Sequence, residues 1–198
     1  MFNVSVSNVD ESQQADEPPG DYVLRLAKEK ALATATYAHS DEIVIAADTA
    51  VVDSASILGK PKDMAEAEKM LKQLRGHTHQ VYTGLAIYRV RDEKLLTELC
   101  ITDVPMRSYS EDEISAYVMS GDALDKAGAY AIQHPEFHPV ESMQACYASV
   151  MGLPLCHLVR ALRKIDVYPG TDISASCQGF LNYECPVTQA ILSGKNVG

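Results

Sequence analysis

Apolar Phe2, Val4 and Val6 alternate with polar Asn3, Ser5 and Ser7, and this period of two predicts a half-buried strand at the start of the chain. Pro18-Pro19-Gly20 reads as a turn. From Asp21 to about Ala38 the chain is rich in Leu, Ala, Lys and Glu, with Val23, Leu26, Lys30 and Ala33 at helical spacing, which predicts the first helix. Ile43 to Ala47 is a nearly continuous apolar run, expected to be a central strand buried on both faces and ending at Asp48-Thr49. Asp63 with Glu66 predicts a capping box opening a helix that carries Met64, Ala67, Met70, Leu71 and Leu74 and stops at Gly76. His79 to Val90 and Leu95 to Met106 read as strands joined by polar Arg91-Asp92-Glu93-Lys94. Ser110 and Glu113 form a second capping box for a helix from Glu111 to Ser120, closed by Gly121. Gly152-Leu153-Pro154 leads into a last helix, about Leu155 to Lys164. The order predicts an α/β class with a mixed sheet. Residues 1–164 are expected to form the domain and 165–198 a peripheral tail of weak periodicity.

Composition narrows the function. The 198 residues hold 17 Lys and Arg against 27 Asp and Glu, a net charge of −10. That balance argues against a nucleic-acid polymer or an anionic membrane as partner, so a phosphate ligand needs a local cluster of positive charge. With no long apolar run and no leader pattern, the chain is expected to be soluble and cytoplasmic. Five cysteines, Cys100, Cys146, Cys156, Cys177 and Cys185, are odd in number and scattered, with no CxxC pair. They read as reduced thiols, not as a disulfide framework or a zinc knuckle.

Few residues announce chemistry by themselves. A carboxylate such as Asp48 at the end of a buried strand is costly unless a metal or a donor holds it, and strand ends line ligand crevices in α/β sheets. A turn cap through Thr49 and Ala50 is the other reading, and spacing does not separate the two. Leu58-Gly59-Lys60-Pro61 lets backbone N–H groups and one ammonium approach a phosphate, or is a plain surface turn; it is no Walker A loop. Asp125-Lys126 ahead of Ala127-Gly128-Ala129 suits metal and phosphate contacts, or is a solvated ion pair. His77 and His79 lack a third ligand, and no Ser-His-Asp or Cys-His arrangement is legible.

Taken in order, Val9-Asp10-Glu11, Leu26 to Ala31, Ala47-Asp48-Thr49, Leu58-Gly59-Lys60-Pro61, Gly76 to Gly84, Asp125 to Gln133 and Gly152-Leu153-Pro154-Leu155 resemble the Maf family of nucleoside triphosphate pyrophosphatases. The resemblance implies a two-lobed fold of the inosine triphosphate pyrophosphatase type with a central cleft, a divalent cation (Mg²⁺ or Mn²⁺) and a homodimer. It implies cleavage of a nucleoside triphosphate to the monophosphate and pyrophosphate, with Asp48 as general base. Glu11 matches an acidic position that helps hold the metal, with Asp48 and Asp125 as the other carboxylates. Lys30, Lys60 and Lys126 supply the cationic pocket. Thr49 and Gln133 match positions tied to base selection and place the chain nearer the dTTP/UTP branch than the 7-methyl-GTP branch. The family's N-terminal strand and Ser-x-Ser-Pro-Arg-Arg loop has no counterpart here, and Ser-Asn-Val-Val-Gly appears as Ala148-Ser149-Val150-Met151-Gly152. Loss of a bidentate Arg predicts reduced activity. A catalytically inactive nucleotide- or protein-binding regulator on the same scaffold is the alternative, with 7-methyl-GTP hydrolysis below it.

Overall fold

A computed structural model describes residues 2–198. A helix α1 (Pro19–Ala35) is followed by strands β1 (Ile43–Asp53) and β2 (Ser56–Leu58), helix α2 (Met64–Leu74), and the hairpin β3 (Thr78–Arg89) and β4 (Lys94–Pro105). Helices α3 (Glu111–Met119), α4 (Tyr147–Val150), α5 (Leu155–Arg163), α6 (Ile173–Leu181) and α7 (Thr188–Leu192) complete the chain. The α/β class stands. The sheet runs β2-β1-β3-β4, and every pairing is antiparallel, so the mixed pairing expected of it is not found among the described residues.

Alternation along β1 divides the molecule. Even positions Val44, Ala50 and Val52 pack under α1 against Val23, Ala27 and Ala31. Odd positions face the other way, Ile43 and Ala47 toward α5 and Val51 toward the cluster built with α2 and α3. The seat of α1 depends on Gly84 in β3, because a Cβ there would lie 2.5 Å from the Val23 carbonyl oxygen. No other residue permits so close a crossing. One lobe is therefore the sheet between α1 and α5. The other gathers Leu71, Leu74, Tyr109, Ile114, Tyr117 and Phe137 beyond the sheet's end.

Several expectations are corrected. Residues 2–14 form no strand, and Phe2, Val4 and Val6 are almost fully exposed; alternation alone does not make a strand without a partner to accept its backbone hydrogen bonds. β1 runs five residues past Asp48, so that carboxylate lies mid-strand and pairs with Gly84. Nor is β1 buried on both faces, since Ile45 is 43% exposed. The box at Asp63 closes only on one side: Asp63 accepts from Glu66 N, but the Glu66 carboxylate accepts from Lys62 N. The segment after Lys164 is ordered into α6, capped by Asp172, and α7. It docks through buried Ile191 and through Arg160, which donates to the Ile191 and Lys195 carbonyls and pairs with Glu98.

Candidate active site

On the α1 face, Lys30 reaches down from the helix to β1. Its ammonium lies 2.6 Å from Asp48 Oδ1 and 2.6 Å from Glu11 Oε1. Glu11 reaches this position because Arg25 straps the preceding segment to α1: it binds both carboxylate oxygens of Glu17, at 2.6 and 2.9 Å, and donates to the Ser12 carbonyl. Tyr22 adds a hydrogen bond to the Glu11 carbonyl. Burial raises the Asp48 carboxyl above its ordinary pKa and outweighs the lowering by Lys30, while Glu11 adds to the rise. For Lys30 burial opposes the charge, but the hydrogen bonds to Asp48 and Glu11 prevail and raise it. The result is a carboxylate with heightened proton affinity beside a permanently charged ammonium.

The opposite face carries a different set. A cavity of about 290 Å³ is lined by Thr49 and Val51 of β1, by Lys60, by Asp125, Lys126 and Tyr130 to Gln133, and by Val150 to Gly152. Two chain turns meet there because Gly128 N donates to the Gly59 carbonyl, 3.1 Å away. Gly128 has φ +66°, and a Cβ on it would lie 2.8 Å from Val51, so glycine is what lets the Lys126 segment close over the sheet. Lys126 pairs with Asp122 and Asp125, whereas Lys60 enters no ion pair among the described residues. Larger hollows of about 460 and 580 Å³ lie by α5 and the C-terminal segment, and hold none of these groups.

Thr49 has a directed hydrogen bond. Thr83 Oγ1 donates to the Ser149 carbonyl at 2.9 Å, and Thr49 Oγ1 lies 2.9 Å from Thr83 Oγ1. A hydroxyl has one proton, so Thr83 accepts from Thr49. The Thr49 oxygen then has only lone pairs to offer the cavity.

The structure thus brings Glu11, Lys30 and Asp48 together, and separately Thr49, Lys60, Asp125, Lys126 and Gln133. Asp125 stands with Lys126 on the cavity side and does not join Glu11 and Asp48. No three His, Cys, Asp or Glu among the described residues form a ready metal cage. Two carboxylates sharing one ammonium still suit a hard cation, because Mg²⁺ takes one or two carboxylates and completes its shell with water and phosphate. His77 and His79 have separate partners, Asp53 at 3.0 Å and Tyr130 at 2.9 Å. Sequence reasoning missed Thr83 and Ser149, which carry the Thr49 bond. Their only signal was Thr83 preceding a glycine in a strand.

No helix of the described residues is long and apolar enough to cross a membrane. The chain is 43% identical over 164 residues to a dTTP/UTP pyrophosphatase of Geobacter sulfurreducens, covering 83% of this chain and 85% of that one. It is 45% identical over 166 residues to a dTTP/UTP pyrophosphatase of Bacillus cereus, covering 84% and 85%. The profile of the Maf-like proteins matches residues 1–165, so the paired faces of β1 belong to a known scaffold and the chain is a member of the Maf family.

Proposed function

We propose that this chain hydrolyses dTTP and UTP to the monophosphate and pyrophosphate. The observation that carries the reading is Asp48, a carboxylate 10% exposed, raised by burial, held by Lys30 and next in sequence to Thr49, which lines the cavity of Lys60, Lys126 and Gln133; the relatives' activity agrees with it. Asp48 accepts the proton of the attacking water, and its raised pKa brings it closer to the working pH of a general base. Lys30 fixes the carboxylate's orientation and balances its charge. Lys60 and Lys126 hold the polyphosphate, with Lys60 contributing a charge that forms no ion pair among the described residues. Thr49, as a pure acceptor, suits the N3–H of a uracil or thymine ring, and the Gln133 amide both donates and accepts at the same edge. Glu11 and Asp48 are the carboxylates that would hold a divalent cation, Mg²⁺ or Mn²⁺, and such an ion would supply charge neutralisation at the phosphates. A cytoplasmic homodimer completes the proposal, and sedimentation of the purified chain checks the oligomer.

Pyrophosphate release over a panel of dTTP, UTP, CTP, GTP and 7-methyl-GTP, with Mg²⁺ and with chelator, tests the reading. Release confined to dTTP and UTP and lost with chelator is the expected result. Metal-independent release, or preference for 7-methyl-GTP, overturns it, and no release from an otherwise folded chain supports the binding regulator instead.

A further inference from the structure

Thr83 lies behind the one-way hydrogen bond at the cavity wall. It stands opposite Thr49 in the β1–β3 ladder, and both Thr83 and Ser149 are 0% exposed. The Ser149 carbonyl accepts from Gly152 N at 2.9 Å as well as from Thr83 Oγ1 at 2.9 Å. Two donors occupy its two lone pairs and fix its direction. The Ser149 hydroxyl has no partner, so among the described residues the Thr83 oxygen receives a proton from Thr49 alone. Reversing the chain of hydroxyls would set the Thr83 and Ser149 oxygens 2.9 Å apart with no proton between them, a cost that a buried polar pair avoids.

The other group proposed at the base edge cannot discriminate by itself. Gln133 is exposed on the cavity rim, and an amide that turns over offers N–H to a keto oxygen or C=O to an amino group equally well. A threonine hydroxyl free to rotate would likewise meet either a ring N–H or a bare ring nitrogen. We infer that Thr83, by taking the Thr49 proton, is the specificity-determining residue that makes the cavity accept pyrimidines protonated at N3 and refuse those with a bare N3. The uracil and thymine edge is thereby favoured over the cytosine edge. The inference rests on the proposed function, which sets the base against Thr49 and Gln133. Fully buried, Thr83 touches no substrate; it is a positioning residue that acts through Thr49. A cytosine ring in that place would set its N3 lone pair against those of Thr49, whose proton is already committed to Thr83. A site built of directed polar groups rejects a mismatched edge strongly, because the mismatch leaves those groups unpaired.

The test reads base preference from binding, without turnover, by calorimetric titration of the full chain with the α,β-methylene analogues of UTP and CTP. The wild-type chain should prefer the UTP analogue. Thr83→Val keeps the branched shape and frees the Thr49 proton, so the UTP-to-CTP affinity ratio should fall at least about tenfold, mostly through tighter binding of the CTP analogue. Thr83→Ser restores the hydroxyl and should restore the ratio, which a packing role for the Thr83 methyl would not do. Where Val disturbs folding, as read by circular dichroism, Thr83→Ala removes the same hydroxyl with less bulk and should show the same shift. An unchanged ratio in a folded Val or Ala variant overturns the inference, as does a Ser variant that behaves like Val. So does a wild-type chain that binds both analogues alike, or neither. The expected preference in binding, found without pyrophosphate release from UTP, would uphold this inference and remove the hydrolytic reading, so the two fail separately.

Discussion

The two faces of β1 settle their charges in opposite ways. Under α1, Glu11 and Asp48 share the one ammonium of Lys30, 2.6 Å from each, with one negative charge left over. On the cavity side Lys60 has no ion-pair partner among the described residues, and Thr49 offers only lone pairs. A carboxylate pair already held by a protein ammonium is pre-organised before any ligand arrives, which suits proton transfer; an unpaired ammonium and a lone-pair acceptor wait for a substrate's phosphates and base edge. Two adjacent residues, Asp48 and Thr49, thus stand in two different environments because a strand sends successive side chains to opposite faces, and the proposed function gives chemistry to one and recognition to the other.

The contrast can be broken from either side. Asp48→Asn keeps shape and loses the base, so kcat should fall about 10³-fold with substrate binding little changed; an undiminished kcat removes Asp48 from that role. Gly84→Ala strikes the same face indirectly by lifting α1 off β3 and moving Lys30. The overlap with the Val23 carbonyl should cost about 3 kcal/mol, read as a lowered urea midpoint.

Acid should act first on the cavity side. Burial, with help from the charge of His77, holds His79 down to about 4 from 6.5, beneath the cavity-lining Tyr130. Between these values the unfolded chain takes up a proton that the folded chain refuses. The contribution is therefore complete above pH 6.5 and is lost as pH falls toward 4, up to about 3 kcal/mol. His79→Gln should flatten the dependence of unfolding on pH in that window. The smallest effect belongs to Thr49→Val, which deletes the acceptor and should reduce the preference for UTP over CTP in kcat/KM about tenfold, with kcat for UTP changed less.

What the sequence disclosed follows the range of the interactions. The hairpin of β3 and β4, the Ser110 cap and α5 are written in local spacing and appear as expected, within a residue or two. The end of β1 is not local: Asp48 is tolerated mid-strand because an ammonium from 18 residues earlier in the chain meets it, and no window around Ile43 to Thr49 contains that fact. Phe2 to Ser7 has the strand period without the partner. For the site, the candidate residues came from family resemblance, and their division between two faces was not legible. It needs the register that sets Asp48 opposite Gly84 and Thr49 opposite Thr83. The cysteines were the hardest to read, since the cavity that Cys146, Cys156, Cys177 and Cys185 line forms only where α6 and the residues after it dock.

The strap formed by Arg25 and the placement of Glu11 make the proposed base, Asp48, responsive to ionic strength. Glu11 is 59% exposed, against 10% for Asp48, so added salt screens the Glu11–Lys30 contact well before it weakens the Lys30–Asp48 one. Glu11 contributes to the raised pKa of Asp48. As its influence is screened, the acid limb of the pH–rate profile should move to lower pH if Asp48 is the base, so that salt concentration would set where that base switches on.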